Sequence, residues 1–545
     1  MKIKTVLLIA IAILANHLSA QAQNVYIPDS IFKAALLNNA SINTNMDTAI
    51  QVSEAVSFNG GINVSNLGIN DLTGIGAFTA LTTLDCSWNS FTILNVSSCI
   101  ALINLDCYAN QLSSLNVSGF AALTTLNCSG TSLTSLTILG CSALTTLNCS
   151  GNQLTNLDMT GCTALSYLFC NNNHLSMLTL TGCTALTTLN CSNNLFTNLM
   201  VSGCTALTTL NCSNNLFTSL NLSGCTALIA LNCSGSQLTS INVSGCTALT
   251  VFNFFSQHLS ILNVSGCIAL TSLNNLINFG FLTDVNVSGC TALNALSFYS
   301  NLTSLTDLKI SGCSSLTTLD CSNNQLSNLN ASGCTSLTYL NCSDNQLTSL
   351  NLSGCTALTN LMCKNNQLTN LNVSGCTALT YLVCEYNQLT NLNVSACTAL
   401  STFTCYANQL VSLNVKNGNN HKMAFLNAVS NPNLTCIEVD TVGWSIANWS
   451  NSIDSTASFS ENCNYGSGTG SNIISQSKLL QVYPNPTTGT IYLTGNSNLE
   501  LTDLVGKVLL QNQNVKQLDI STLPAGMYLL RTGENLSRTF KVIKE

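Results

Sequence analysis

The run Leu337-Thr-Tyr-Leu340-Asn-Cys342-Ser-Asp-Asn345-Gln-Leu347-Thr-Ser-Leu350-Asn-Leu352-Ser-Gly-Cys355-Thr-Ala357 decides how this chain folds. Its leucines stand three and two residues apart, too closely stepped for one stripe of a helix over so short a span. Leu340 and Cys342 alternate with polar residues as a strand with one buried face does. A single such strand has nothing to bury that face against. The chain answers by repetition: leucines preceded by Ala or Ser open units at 81, 102, 123, 144, 165, 186, 207, 228, 249, 270, 293, 316, 337, 358, 379 and 400, at a period of 21 with two steps of 23 around Leu293. Stacked in parallel, sixteen units align Leu, Cys and Val in continuous internal columns, which is the logic of a solenoid. With strands about 4.8 Å apart, the stack extends on the order of 80 Å.

Other positions agree with stacking. Asn stands ninth in the units at residues 89, 110, 152, 173, 194, 215, 278, 301, 324, 345, 366, 387 and 408, where a buried amide can bond the backbone of a turn. Leu347-x-x-Leu350-x-Leu352 echoes the first half of its unit and predicts a second short strand on the outer side. No Pro occurs between residues 29 and 431, which leaves the ladders uninterrupted. Phe254, Asn275 and Phe298 replace Cys in the stretch that also holds both 23-residue steps, so a bulge or change of curvature is expected between Leu249 and Cys313.

The spacing LxxLxLxxNxL is the signature of leucine-rich repeats. Residues 81–415 resemble the 21-residue repeats of secreted bacterial surface proteins, with a looser likeness to internalins. The expected fold class is a β-rich leucine-rich repeat solenoid of parallel β coils with capping segments, followed by a small C-terminal β-sandwich.

Of 29 Cys, all but two fall at the sixth position or in the SGC segment of the units. One small residue per coil in an internal column, with Phe as a substitute, reads as a buried hydrophobe. Stacked Cβ atoms about 4.8 Å apart and pointing the same way are also wider than a disulfide prefers. Cys436 and Cys463 lie outside the period, flank Trp444 and Trp449, and are expected to bridge the end cap.

The remaining segments divide as follows. Residues 1–22, with Lys2, Lys4, the apolar run Val6 to Ala15 and Ala20-Gln21-Ala22, read as a secretory signal; the run is half of the roughly 20 residues a membrane span needs. Residues 23–80 form an N-terminal cap, in which Pro28-Asp29-Ser30 opens a short helix. Within it Asn43, Asn45, Asp47, Ala49, Gln51 and Glu54 follow the spacing of a twelve-residue calcium loop, although Asn43 replaces Asp and Thr48 stands where Gly makes the sharp turn. An Asn-rich turn leading into a capping helix is the competing explanation. Residues 416–463 are a C-terminal cap, 464–477 a Gly/Ser linker, and 478–545 a separate domain.

That last segment resembles the C-terminal sorting domain of type IX secretion substrates of Bacteroidetes through Tyr483-Pro484-Asn485-Pro486-Thr487, Gly489, Asp503-x-x-Gly506-Lys507, Asp519-Ile520-Ser521-x-Leu523-Pro524-Ala525-Gly526-Met527-Tyr528 and Lys541-Val542-Ile543-Lys544. The resemblance implies contact with the secretion machinery, outer-membrane translocation, removal of the domain, and release or surface attachment of the rest.

Only 14 Lys+Arg and 21 Asp+Glu occur among 545 residues, with a net charge of −7. So few basic groups argue against nucleic acid or an anionic membrane as partner. Residues 81–410 carry ten charged side chains and no acid pair, nucleophile with base or metal-ligand spacing, so no catalysis and no cofactor, calcium apart, is expected. Positions 3, 5 and 7 of each unit are expected to point outward from the presumed concave sheet, most often as Thr-x-Asn-x-Ser. Near the C-terminal end this ladder changes to Tyr339, Met362, Lys364, Tyr381, Val383, Glu385, Tyr386 and Tyr406, a set suited to protein or glycan recognition. A smaller outward set comprises Trp88, Tyr108, Tyr167 and Phe169. Three functions compete: recognition and adhesion at the cell surface, a structural spacer without a ligand, and binding to a periodic solid such as ice or crystalline polysaccharide.

Overall fold

Each unit turns one coil, and most place two three-residue strands in it; the coils opened by Leu81, Leu186 and Leu358 lack the second strand. In the unit opened by Leu337 the two strands are Tyr339–Asn341 and Ser349–Asn351, with Leu340 and Leu350 buried at their centres. Front strands pair in parallel with their counterparts in the next coil, so that Tyr339 faces Asn360 and Asn360 faces Tyr381, whereas the second strands fall into separate parallel sheets of two, two, seven and four strands. The second strand expected from the echo of Leu350 and Leu352 is present, and the fold is a parallel β-solenoid with a front ladder built from the first strands and a rear ladder built from the second.

The computed structural model describes residues 23–256, 258–273, 281–298, 305–463, 482–483, 487, 489–503, 507–532 and 538–544. The signal segment 1–22, the linker 464–477, and Asn275, Asn278 and Asn301 lie outside them. The chain separates into two units, residues 1–463 and 464–545.

In the first unit, the front ladder runs as ten strands from Gly61–Asn63 to Val251–Asn253 and resumes as seven from Ala295–Ser297 to Phe425–Asn427. The gap between the two sheets falls among the irregular units. The rear ladder crosses the same stretch as one sheet, Ile261–Asn263 pairing with Asp284–Asn286 and that strand with Asp307–Lys309. The two surplus residues are therefore accommodated without disturbing rear register. Phe254 and Phe298 are buried in place of Cys.

The core satisfies its own polar groups. Asn366 Nδ2 donates to the carbonyls of Cys342 (3.0 Å), Cys363 (3.2 Å) and Lys364 (3.1 Å), while its Oδ1 accepts from Leu347 N (2.9 Å). This bonding recurs from coil to coil, as at Asn173 and Asn408. Thr at the second position adds another thread: Thr338, Thr359 and Thr380 each donate Oγ1 to the second-position carbonyl one coil back, at 2.9–3.1 Å.

All 27 cysteines other than Cys436 and Cys463 are free thiols, and all but Cys225 are buried. They do more than fill space. In the rear column Cys267, Cys290 and Cys313 point Sγ at the carbonyls of Val243, Val264 and Val287 one coil back (3.1–3.2 Å), while in the front column Cys86 Sγ reaches Asp106 O one coil ahead (3.3 Å). The two columns thus lean in opposite directions along the stack, each as weak S–H donors to backbone.

The ladders extend past both ends of the recognised repeats. Gly61–Asn63 pairs with Thr83–Asp85 before the first unit. Met423 opens a further coil: Phe425–Asn427 pairs with Thr402–Thr404, Ala428 takes the cysteine position, and Asn431 makes the ladder bonds to Cys405 O and Ala428 O. At the N-terminal end the helix Ser30–Leu37 is capped by Asp29, whose Oδ1 accepts from Ile31 N and Phe32 N. At the other end Asp454 accepts from Ser430 N and Asn431 N, replacing the carbonyls a next coil would offer. Trp444 and Trp449 of the helix Val442–Trp449 meet edge to face, and Cys436 is disulfide-bonded to Cys463 with Cα atoms 5.9 Å apart.

In the second unit, strands Val482–Tyr483, Thr490–Thr502, Val508–Asp519, Gly526–Thr532 and Arg538–Lys544 form a small antiparallel β domain. They share one hydrogen-bonded sheet in which the long strand Thr490–Thr502 pairs with three others and shifts register along its length. Ile491, Leu499, Leu501, Ile520, Leu530 and Val542 fill its core.

Candidate binding face and capping loop

Strand geometry alone sends positions 3 and 5 outward. Position 7 behaves differently from expectation in the regular coils. Ser129, Ser192, Ser213 and Ser322 are buried, and each Oγ donates to the position-5 side chain of its own unit (Asn127, Asn190, Asn211, Asp320) at 2.7–2.8 Å. The position-5 side chain is two residues back and within reach, so the hydroxyl folds onto it instead of facing solvent. The outward ladder of the regular coils is thus Thr and Asn, with Ser closed beneath.

The C-terminal coils change this surface. Tyr339 and Tyr381 lie at position 3, two strands and about 9.5 Å apart, with Asn360 between them. Met362 and Val383 are neighbours at position 5. Val383 is buried: it packs under this face and offers it no contact, contrary to the sequence expectation. Lys364 and Glu385 follow at position 7 without pairing to each other; Glu385 Oε1 instead accepts the Thr404 hydroxyl (2.5 Å). Tyr386, exposed at position 8, meets Tyr406 edge to face with ring centres 5.1 Å apart. A hydrogen bond with Tyr406 and that residue's charge hold the Tyr386 phenol above its usual pKa. Burial and the nearby Asp320 raise that of Tyr339, against a hydrogen bond with Asn341 that lowers it. The structure therefore brings seven of the eight residues to one surface and adds Asn360, which looked like an ordinary ladder residue, while Thr404 is buried beneath it.

The second aromatic set divides. Trp88 and Tyr108 meet edge to face with ring centres 5.1 Å apart. Tyr167 and Phe169 occupy positions 3 and 5 of one strand farther along.

The segment with calcium-loop spacing is tied up by its own donors. Asp47 Oδ2 accepts from Gln51 Nε2 (2.7 Å) and Asn45 Nδ2 (3.0 Å), and its Oδ1 from Ala49 N (2.7 Å). Glu54 Oε1 accepts from Thr44 N (2.8 Å), and Oε2 from Gln51 N (3.0 Å), part of a capping box on the helix Val52–Ser57. Asn43 is buried and turns its Nδ2 to the carbonyls of Leu37 and Asp47. A cation cage needs oxygens converging on one point; here Gln51 and Asn45 present N–H groups to Asp47. Glu54 is held below the usual carboxylate range: burial raises its pKa, and the bonds from Gln51, Thr44 and Asn45 outweigh that. Asp47 is lowered chiefly by the Ala49 N–H. Among the described residues no group of three or more His, Cys, Asp or Glu is placed to hold a metal ion.

Comparison with known proteins bears on this architecture. Residues 44–152 match the family of the leucine-rich repeat domain of endo-β-N-acetylglucosaminidase EndoS, and residues 314–354 match leucine-rich repeats in two copies. Residues 481–545 match the secretion system C-terminal sorting domain. No curated protein matches the chain. Among solved structures, the functional domain of InlJ from Listeria monocytogenes, described as including a cysteine ladder, is 23% identical with a TM-score of 0.38, covering 96% of this chain and 98% of that one. A leucine-rich repeat protein of Leptospira interrogans is 20% identical over 75% and 93% of the two chains, TM-score 0.34. YopM from Yersinia enterocolitica is 20% identical over 70% and 91%, TM-score 0.28. Among the described residues no helix is long and apolar enough to cross a membrane. The sorting domain marks the chain for type IX secretion to the cell surface or beyond it. The repeats and the terminal domain together identify a secreted leucine-rich repeat protein that ends in a type IX sorting domain.

Proposed function

We propose that this chain, whose leucine-rich repeat fold generally serves recognition and binding, is a cell-surface or secreted recognition and adhesion protein that binds a protein or glycan through its front ladder, without catalysis. On this reading the signal segment is removed on export, and the sorting domain after translocation. The supporting observation is the change of the outward ladder on the coils opened by Leu337, Leu358, Leu379 and Leu400. Thr and Asn there give way to Tyr339, Met362, Tyr381, Tyr386 and Tyr406 with Lys364 and Glu385 beside them. Aromatic anchors flanked by single charges are where binding energy concentrates.

A spacer function without a ligand fits the middle coils, where Thr188-x-Asn190-x-Ser192 and Thr209-x-Asn211-x-Ser213 repeat unchanged. Closure of those Ser hydroxyls onto Asn removes free donors from the repeating lattice and weighs against a periodic solid as ligand. The test is affinity of the full chain for the partner found on arrays of host proteins and polysaccharides. Replacing Tyr381 and Tyr386 together by Ala lowers it at least tenfold, or about 1.4 kcal/mol. Unchanged affinity would remove the C-terminal coils as the site.

A further inference from the structure

Position 8 of the coils has a left-handed backbone. Its φ is 52–57° at Asn172, Asn193, Asn214, Asn323, Asp344 and Asn365, and 60–75° at Gly130, Gly151 and Gly235. Asn, Asp and Gly are the residues that tolerate this region; a bulky side chain there is an outlier. Two coils break the rule with large aromatics, Trp88 at φ 55° and Tyr386 at φ 51°. Strained positions that persist in a regular frame point to function.

The two exceptions share their surroundings. The coil after each carries the same hexapeptide, Cys107-Tyr-Ala-Asn-Gln-Leu112 and Cys405-Tyr-Ala-Asn-Gln-Leu410. Its Tyr meets the strained ring edge to face, Trp88 on Tyr108 at 5.1 Å and 88°, Tyr386 on Tyr406 at 5.1 Å and 90°. Trp88 is 59% and Tyr386 50% exposed, so the pairing leaves much of each ring in solvent. Tyr108 lies over Gly130, where an added Cβ would approach its ring to 3.3 Å. Carboxylates stand beside both pairs: Asp85 and Asp106, register partners at position 5 of the first two coils, and Glu385 next to Tyr386.

Charge narrows the ligand. No Lys or Arg lies between Lys33 and Lys309, so the N-terminal pair has no basic neighbour in its stretch of chain to hold an anion. Lys364, one coil from Tyr386, opposes a cation at the other pair. A ligand common to both is therefore neither. A neutral sugar fits: the C–H face of the ring packs on an exposed aromatic, and its hydroxyls donate to carboxylates and to the amides and hydroxyls of the ladder.

We propose that Trp88–Tyr108 and Tyr386–Tyr406 are two equivalent stations for the sugar rings of a neutral polysaccharide, fourteen coils and roughly 70 Å apart along the stack. This rests on the recognition function proposed above and specifies its ligand. Two footholds on one polymer make attachment far tighter than either alone.

The test uses the full chain and a panel of immobilised laminarin, mannan, xylan and chitin, followed by calorimetry with a short oligosaccharide of whichever is retained. The native chain takes up two oligosaccharides. Trp88→Asn and Tyr386→Asn each leave one site and weaken retention on the polymer more than tenfold, and the double variant takes up none. Asn is what other coils carry at this position, so melting temperature holds or rises in each variant. Failure to retain any of the four polymers, one site in the native chain, or Asn variants that melt lower while binding normally would each overturn the proposal. A protein ligand lost on replacing Tyr381 and Tyr386, without sugar binding, would overturn it and leave the recognition function standing.

Discussion

At the scale of single residues, the thiols show how repetition sets chemistry. Burial pushes Cys149 and Cys363 up to about 12; Cys355 also reaches about 12, by burial and then by the charges of Cys334 and Cys376. An unfolded thiol titrates near 8.5. Because the folded values lie above the unfolded ones, their stabilising contribution is complete below about pH 8.5 and is lost as pH rises toward 12, by about 1.4 kcal/mol per pH unit for each thiol that only the unfolded chain ionises. With many such groups, chemical denaturation midpoints fall steeply above pH 9 while staying flat below pH 8. Iodoacetamide at pH 8 labels Cys225, the one free cysteine not fully buried, before any other; uniform labelling of the native chain would contradict the buried columns. The sequence made these cysteines legible as core because each recurs once per coil. Their S–H bonds to neighbouring carbonyls were not legible, since the direction of a donor depends on backbone placement that spacing alone leaves open.

At the scale of elements, the segment Asn43 to Glu54 shows calcium-loop spacing serving a capping turn. Its residues sit at calcium-loop intervals, yet Gln51 closes on Asp47 and Glu54 caps the helix Val52–Ser57. The expected result is that millimolar calcium leaves the melting temperature unchanged, whereas Glu54→Ala lowers stability by about 1 kcal/mol by removing the cap. A rise on adding calcium would mean that the loop reopens around the ion. The coil opened by Met423 was hidden for a different reason: a 23-residue step, Met for Leu and Ala for Cys broke the pattern, although Leu426 and Asn431 kept their places. The left-handed turn at position 8 left a trace in the recurring Asn and Gly there. The repeats placed the outward tyrosines correctly, but not the burial of Val383 or the folding of Ser onto Asn, both of which depend on side-chain packing.

At the scale of the whole solenoid, each coil bonds only to its neighbours, and those neighbours are near copies. Removing residues 186–206 joins Leu165 of one regular unit to Leu207 of the next in unchanged register, so the shortened chain folds with a melting temperature within a few degrees of the original. Removing 187–206, one residue fewer, leaves one surplus Leu at the joint that the turn must bulge out, and lowers the melting temperature further than the exact deletion does. Stability as a sum of local and nearest-neighbour contributions is the property of such stacks that this comparison measures.

The ladders that make one coil the template for the next also set how the molecule meets a mechanical load. Pulled from its two ends, a stack of this kind gives way one turn after another from an end instead of all at once. Each turn lets out 21 residues, about 70 Å of chain, before the next takes up the strain. Load along the stack is thereby dissipated in small, repeated steps, and the turns that remain stay folded and able to rewind those that were lost.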